Sequence, residues 1–432
     1  MKRIGLLLLA LFSFTFMAHS QKIKDNIGLG KHGEVKNMRE YDKNGLNVFE
    51  PVKDTTHSSK DVFVRMGGAF ALQFQNLHHK NSGAVGSSAD NALYDIGNNF
   101  NLATANLEID VRLYDGVNLN LTTYLSSRHH PEPYVKGGYI TIDKLEFIQE
   151  GFLEDLMKKL TIKIGHMENN YGDAHFRRSD NAQTLYNPFV GNYIMDGFTT
   201  EVGAEVYYQT NGWLAMAGIT NGRLDQDARS GTSPSILAKI GYDKQLNEDL
   251  RVRLTGSMYH AAQSENIQLY SADRAGSRYY YVMEGPDATS KGNFRSGRFE
   301  PEFREKLTAF MINPFIKYRG LEWFSTLEFA KGRTHGETEK RDAFQFATDL
   351  IYRFGANDDF YVGGRFNIVD ADLPTGEDVE INRFNLGGGF FMTDNILVKA
   401  EYVSQKYNGF NNTPRLHQGK FNGFVLEAAI SF

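Results

Sequence analysis

The sequence predicts an all-β fold, a transmembrane antiparallel β-barrel of about 16 strands. Three observations predict it. Apolar and polar residues alternate within segment after segment, short and long connections alternate between the segments, and the polar faces carry many charges. The 432 residues have no internal apolar run of membrane-helix length and no Cys, which excludes a helical membrane protein and a disulfide scaffold.

The N-terminal residues 1–20 have the pattern of a secretory signal peptide. Lys2 and Arg3 form its basic start, an apolar stretch follows to Met17, and Ala18 and Ser20 place small residues before a cleavage site. The chain is therefore expected to be exported. The alternative, a buried hydrophobic strand, would lack strand alternation in this region.

Residues 21–60 are polar and have no periodic pattern, so we expect an extended arm in the periplasm or the lumen rather than a domain. The barrel itself is predicted to occupy residues 61–432. The formal net charge of −5 gives no basic footprint, so no nucleic-acid partner is expected.

The last predicted strand shows the alternation best, because Phe424, Leu426 and Ile430 fall on one face while Glu427 and Ser431 fall on the other. Segments of this kind occur along the rest of the chain. Strands are predicted near 61–76, 99–114, 117–127, 137–149, 159–167, 200–209, 212–221, 234–242, 249–260, 305–319, 321–331, 342–354, 359–369, 382–392, 395–406 and 419–432.

The connections between these strands predict a protein with two unlike sides. Tight turns are expected near 115–116, 210–212, 319–320, 355–358 and 393–395, and long polar connections near 77–98, 128–136, 168–199, 222–233, 261–304, 371–381 and 407–418. The connection at 150–158 is expected to hold a helical turn. In hydrocarbon every backbone polar group needs an internal partner, so strands that cross a membrane must close into a barrel.

The polar strand faces carry both signs of charge, which a dry core would have to desolvate at a cost of several kcal/mol each. We therefore predict that these faces are wet and surround an aqueous channel, since a barrel of this size is not filled by its own side chains. The predicted pore-lining residues are Arg65, Arg112, Lys163, Glu205, Arg251, Arg253, Lys317, Arg353, Arg365 and Lys399.

Three stretches carry a resemblance to a known family: 64–75, with the sequence VRMGGAFALQFQ, 162–168, with IKIGHME, and 203–208, with GAEVYY. On these the chain resembles the phosphate-selective porin O and P family, in particular its Bacteroidetes-type members. The resemblance implies a sixteen-stranded outer-membrane porin that forms trimers. The chain departs from the expected pattern because its basic and acidic lumen residues nearly balance, so phosphate selectivity does not follow.

The resemblance also implies that the connection at 169–200 folds inward and narrows the pore. Its predicted constriction residues are Asp173, Arg177, Arg178 and Asp180, which offer both charge signs and could set ion preference through the local field. The alternative is an extracellular loop whose charges are simply solvated.

No metal site and no cofactor is predicted. The pairs His78-His79 and His129-His130 lie in predicted outer loops, where neighbouring residues point in opposite directions. The expected partners are outer-membrane lipid and lipopolysaccharide, small hydrophilic solutes, and the barrel assembly machinery, which would read the terminal Phe432. The expected location is the outer membrane of a Gram-negative bacterium.

The leading functional hypothesis is a passive diffusion channel rather than an enzyme. A second hypothesis is a structural or partner-binding barrel whose lumen is plugged by the 21–60 arm. A third, an outer-membrane hydrolase, has only isolated candidates such as Ser257 and His260.

Overall fold

The computed structural model describes residues 35–54, 60–129, 132–223, 231–273 and 276–432. The predicted signal peptide and the first part of the predicted arm lie outside the described residues. The strands are β1 Phe63–Lys80, β2 Asn99–Phe100, β3 Thr104–Tyr114, β4 Val117–Ser126, β5 Tyr134–Ile142, β6 Leu160–Glu168, β7 Thr200–Thr210, β8 Trp213–Thr220, β9 Ser235–Gln245, β10 Leu250–Ala261, β11 Lys306–Tyr318, β12 Leu321–Arg333, β13 Arg341–Phe354, β14 Phe360–Asp372, β15 Asp378–Thr393, β16 Ile396–Asn408 and β17 Lys420–Ser431.

The strands form one closed antiparallel barrel. Each long strand pairs with its neighbours in the sequence, and β1 closes the ring by pairing with β17 on one side and β3 on the other. Sixteen strands are long, whereas β2 adds only two residues to the edge of β1. The predicted fold class is confirmed. Short helices cover Ser88–Asn91 and Glu154–Met157, and no helix in the described part is long and apolar enough to span a membrane.

The outer face of the barrel is an apolar belt. In β17 the side chains of Phe424 and Leu426 are exposed, whereas those of Val425 and Glu427, which alternate with them, are buried. Because successive strand residues point to opposite faces, the apolar set faces outward and the polar set faces the lumen. An exposed apolar belt on a closed barrel is the surface that lipid covers.

Tight turns join the strands at one end, which we call the turn side. The turn between β7 and β8 shows why two residues suffice, because Asn211 and Gly212 both have positive φ, at 50° and 88°, as hairpin turns that match strand twist require. Most connections at the opposite end, the loop side, are longer. The prediction for 137–149 was wrong in its second half, because β5 ends at Ile142 and the chain then turns, with Lys144 held 3.0 Å from Asp115.

Candidate functional site: the filled lumen

The predicted pore-lining residues are mostly engaged in ion pairs on the inner face of the barrel. Arg365 lies 2.7 Å from Asp349, Arg353 lies 2.8 Å from Glu322, and Lys399 lies 3.0 Å from Glu427. Four further members form ion pairs: Arg65 with Asp110 at 2.7 Å, Arg253 with Asp173 at 2.8 Å, Arg251 with Asp243 at 2.7 Å and Lys317 with Asp358 at 3.6 Å. Two members bond to the backbone, since Arg112 donates to the Asp61 carbonyl at 3.0 Å and Glu205 accepts from the Asn170 N–H at 2.9 Å. Lys163 lies over the ring of Tyr139.

The inner face differs from the sequence-based prediction in one respect, because most of its charges are buried rather than wet. Arg365, Lys399 and Glu205 are each at most 3 % exposed. The cause is that three segments of the chain fold into the lumen and cover the inner face. Desolvation of the buried charges is offset there by opposite charges, by backbone groups and by side-chain hydroxyls, such as the Asn170 N–H and the Tyr207 hydroxyl that donate to Glu205.

The first inward segment is the constriction loop, residues 169–199, and its inward path is confirmed. The loop hangs on polar side chains of the barrel wall through its own backbone. Ile194 donates its N–H to Asn367 at 2.7 Å, Met195 donates to Gln345 at 3.0 Å, and Val190 donates to Glu401 at 2.8 Å. A loop buried without such acceptors would leave its N–H groups unpaired, so these wall residues are what allow it to lie inside.

The four predicted constriction residues lie in three ion clusters. Asp173 pairs with Arg253 and Lys239, and Arg177 lies 3.8 Å from Glu322. Arg178 and Asp180 share the third cluster, where they lie 3.5 Å apart. In it Arg178 also lies 2.8 Å from both Asp196 and Asp273, and Asp180 also pairs with Lys136 and accepts a hydrogen bond from Tyr124. The structure therefore brings Arg178 and Asp180 together but does not place all four across a single gap.

Asp173 is the most enclosed of the four. It is buried, and besides the two cations it accepts a hydrogen bond from the Thr255 hydroxyl at 2.7 Å. Burial alone would raise the pKa of Asp173, but Arg253 and Lys239 hold this pKa well below its ordinary value. The carboxylate is thus a fixed negative charge that ties the loop to β9 and β10.

The second inward segment is the N-terminal plug, residues 35–54, which spans the lumen near the turn side. At one edge Lys43 lies 2.6 Å from Asp359 in the turn before β14. At the opposite edge Lys53 donates to the Asp143 carbonyl at 2.9 Å, beside β5. Between them Asn47 donates to Glu322 of β12 at 2.7 Å. The plug is therefore fastened across the width of the barrel.

The centre of the plug is held by one aromatic ring and one carboxylate. Phe49 is 1 % exposed and packs edge-on against Phe315 of β11, with ring centroids 5.4 Å apart. Glu50 lies 2.8 Å from Lys239 and 2.6 Å from Arg253. Burial raises the pKa of Glu50, but these two cations outweigh it and lower the pKa to about 2.

The third inward segment, the second inward loop, joins β10 to β11 across the loop side and is described at 262–273 and 276–305. Its Tyr279 hydroxyl donates to Glu401 at 2.5 Å, and its Arg278 pairs with Glu427. Arg298 lies 2.7 Å from Asp273 within the loop itself. In the sequence this connection is recognisable only as a long polar segment, so its inward path was not predicted. Its run of buried aromatic residues, Tyr279, Tyr280, Phe294 and Phe299, is the signal that could have indicated it.

Two adjoining cavities remain between the inward segments and the wall formed by β3 to β7. Their volumes are about 190 Å³ and about 230 Å³, and Arg39, Tyr139 and Lys163 line both. The first cavity also touches Glu108 and the second reaches Gln209 near the turn side. We call these two cavities together the residual passage.

The residual passage is lined by charges that differ in how they are neutralised. Lys163 forms no ion pair with a carboxylate of the described residues, and its ammonium lies 4.3 Å from the ring centroid of Tyr139. The guanidinium of Arg39 donates to the Gly45 carbonyl at 2.9 Å and lies over Tyr186. Both cations are half-buried and reach the cavity, whereas Glu108 is buried and accepts a hydrogen bond from Thr122.

The residues considered for metal binding or catalysis make structural contacts. His79 bonds to the Tyr94 carbonyl and accepts from the Met283 N–H, so it serves the loop packing. No group of three or more potential metal ligands occurs among the residues that the structure describes. Ser257 is buried on the inner face, where it accepts from the Gly172 N–H, whereas His260 bonds to Thr308, so the two do not form a catalytic pair.

No family model matches the chain, and no curated protein matches it. Solved structures with a similar fold are outer-membrane proteins. The chain is similar to OmpT of Vibrio cholerae, an outer membrane protein (12 % identity, 88 % of this chain and 100 % of that chain, TM-score 0.52). It is also similar to the outer membrane channel DcaP of Acinetobacter baumannii (10 % identity, 87 % and 99 %, TM-score 0.52) and an anion-selective porin from Comamonas acidovorans (9 %, 86 % and 100 %, TM-score 0.50). At these identities the similarity establishes the barrel fold that this chain shares with them.

Proposed function

We propose that the protein is an outer-membrane porin of a Gram-negative bacterium, through which small hydrophilic solutes and ions diffuse passively. The observation that carries this proposal is the residual passage, a polar space between the barrel wall and the inward segments. The apolar outer belt supports the membrane location, because a strand-built protein crosses lipid as a closed barrel. The structural similarity to DcaP, which is described as a channel, agrees with this function.

We further propose that the residual passage favours anions. Lys163 and Arg39 present positive charge to the cavities without a carboxylate partner within the described residues. Of the carboxylates that line the cavities, that of Glu50 is neutralised by Lys239 and Arg253, and those of Glu168 and Asp180 are neutralised by Lys136. An unneutralised charge in a narrow polar space dominates the field that a passing ion experiences. The Comamonas acidovorans protein, which shares the fold, is described as anion-selective.

Conductance measurement tests the function directly. Purified full-length protein, folded in detergent, is added to planar lipid bilayers. We expect stepwise currents and, under a KCl gradient, a reversal potential of the sign that chloride preference gives. Complete absence of current from protein that runs as a folded barrel would contradict a diffusion channel.

A second candidate function is a plugged barrel that acts by binding partners. The observation in its favour is that the three inward segments bury most of the inner face. The two functions separate in a variant that lacks residues 35–54. Current from the complete protein supports the porin, whereas a silent complete protein together with a conducting variant supports the plugged barrel.

The relation to the phosphate-selective porin O and P family is also a proposal. The sequence stretches that resemble this family support it, while the near balance of charges around the passage does not favour phosphate over other anions. Measuring chloride current with increasing inorganic phosphate tests the point. Strong block by phosphate supports the family's selectivity, and equal permeation of both anions contradicts it.

The partners are proposed on the same basis. The side chain of Phe432 is 57 % exposed on the outer face, and its backbone pairs with Gly68 of β1 at 2.8 Å and 3.0 Å. This end of β17 is thus accessible to assembly machinery before the barrel closes. Lipid and lipopolysaccharide would cover the outer belt, and chemical cross-linking in detergent would test the proposed trimer.

A further inference from the structure

One connection on the turn side differs from all the others described there. The chain between β5 and β6 runs from residue 143 to residue 159, where the other turn-side connections are tight turns. Its central part, residues 145–157, is ordered by local hydrogen bonds: Ile148 donates to the Leu145 carbonyl at 2.9 Å, and Met157 donates to the Leu153 carbonyl at 2.9 Å. We call residues 145–157 the turn-side foot.

The turn-side foot exposes large apolar side chains. Phe147, Ile148, Phe152, Leu153 and Leu156 are each 40–58 % exposed. The foot is a succession of turns that ends in the short helix Glu154–Met157, and Leu153 before this helix has a positive φ of 53°. Asp155 in the helix carries a fully exposed charge, since 99 % of its side chain is accessible. A cluster of exposed apolar side chains of this size is usually covered by a second phase or by a partner.

The base of the foot is fixed to the barrel. Met157 is buried, and its carbonyl accepts a hydrogen bond from Lys53 of the N-terminal plug. Asp143 donates its N–H to the Gly116 carbonyl at 2.8 Å in the neighbouring turn. The exposed apolar side chains are therefore held close to the turn-side rim of the lipid-facing belt.

The rim supplies the argument for what covers these side chains. Exposed aromatic residues stand on the outer face at the turn-side ends of most strands from β7 to β15: Tyr208, Trp213, Tyr318, Trp323, Tyr352, Phe354, Phe360 and Phe390. The ends of β5 and β6 carry Ile142 and Leu160 instead. Aromatic girdles mark the boundary between hydrocarbon and headgroups in membrane barrels. Phe147 and Phe152 of the foot supply aromatic rings at the place where the strands lack them.

We propose that the turn-side foot lies on the membrane, with its exposed apolar side chains in the headgroup boundary of the turn-side leaflet. The occupant of the apolar patch is thus the lipid surface itself, continuous with the lipid that covers the belt. This proposal depends on the transmembrane fold and is independent of whether the barrel conducts.

Fluorescence quenching by brominated lipid tests the proposal. The chain has two Trp, at 213 and 323, so the double replacement Trp213→Phe and Trp323→Phe gives a protein without tryptophan emission. Phe152→Trp is introduced into the full chain, with Asp155→Trp as the matched control at a fully exposed charged position. Both variants are reconstituted in vesicles of phosphatidylcholine brominated near the headgroup end of one acyl chain.

We expect emission from Phe152→Trp to be quenched at least about twofold more than emission from Asp155→Trp, because only the former lies in the boundary region. Equal quenching of the two would overturn the proposal. A second variant, Phe147→Ser with Phe152→Ser, keeps the test independent of the Trp probe. If this variant loses an oligomer that the parent forms, a second copy covers the patch and the proposal is wrong. If its oligomeric state is unchanged and protease cleaves residues 145–157 faster than in the parent when both are in vesicles, the proposal is supported.

Discussion

Reversing the charge at Lys163 is the sharpest test of how the residual passage acts. The ammonium lies beside Tyr139, and both residues line both cavities. In so narrow a space a permeating ion passes within roughly 5 Å of the ammonium, where one unit charge contributes about 1 kcal/mol in a water-like medium. Lys163→Glu changes the charge by two units, so the barrier rises by about 2 kcal/mol for chloride and falls by a similar amount for potassium before salt screening.

A change of about 1.4 kcal/mol is tenfold in a rate, so even after screening we expect the ratio of chloride to potassium permeability to fall at least about tenfold. The barrel should tolerate the change, because Lys163 has no ion-pair partner among the described residues whose charge would be orphaned. The lost contact with Tyr139 costs about 0.5–1 kcal/mol. Lys163→Gln, which removes the charge without reversing it, should give an intermediate ratio.

The assay is the reversal potential of single channels under a KCl gradient. The matched control is Lys406→Glu, which makes the same change of net charge at an exposed position on β16, away from the residual passage. If Lys163→Glu and Lys163→Gln leave the reversal potential where the parent has it, ions do not pass this side chain and the assignment of the passage is wrong.

Further predictions concern the inward segments. Deletion of residues 35–54 should raise single-channel conductance severalfold, because the plug crosses the lumen; an unchanged conductance would mean that ions bypass it. Phe49→Ala removes a buried ring worth about 3–5 kcal/mol and should loosen the plug, seen as faster proteolysis of the N-terminal region, with Val52→Ala as an exposed control. Asp173→Asn leaves Arg253 under-neutralised in a buried site, so we expect a loss of about 3–5 kcal/mol in loop anchoring and noisier current, and quiet channels would argue against that anchor. The pKa of Glu50 is lowered to about 2 in the folded protein, so its contribution to the stability of the plug is complete above its unfolded pKa near 4.5 and is lost as the pH falls from there through about 2. We therefore expect the conductance to rise only in that pH interval and to be constant above it.

The sequence by itself determined the barrel. Alternation with a period of two is a local property, so the belt in β17 and the approximate positions of the strands could be predicted from neighbouring residues alone. The alternation of connection lengths then fixed two unlike sides. The failure at 143–149 has a local cause as well, since apolar residues such as Phe147 and Ile148 serve equally in a strand and in an amphipathic turn.

Only the tertiary structure decided what fills the barrel. Pairing of Asp173 with Arg253, or of Glu50 with Lys239, joins residues far apart in the chain, and no periodic pattern specifies which charge meets which. The sequence showed that the inner face is charged, but it could not show whether these charges are solvated by water or paired with opposite charges, since either stabilises a charge. The paths of the three inward segments decide which charges are paired, and Lys163 is left facing the residual passage with no ion-pair partner among the described residues.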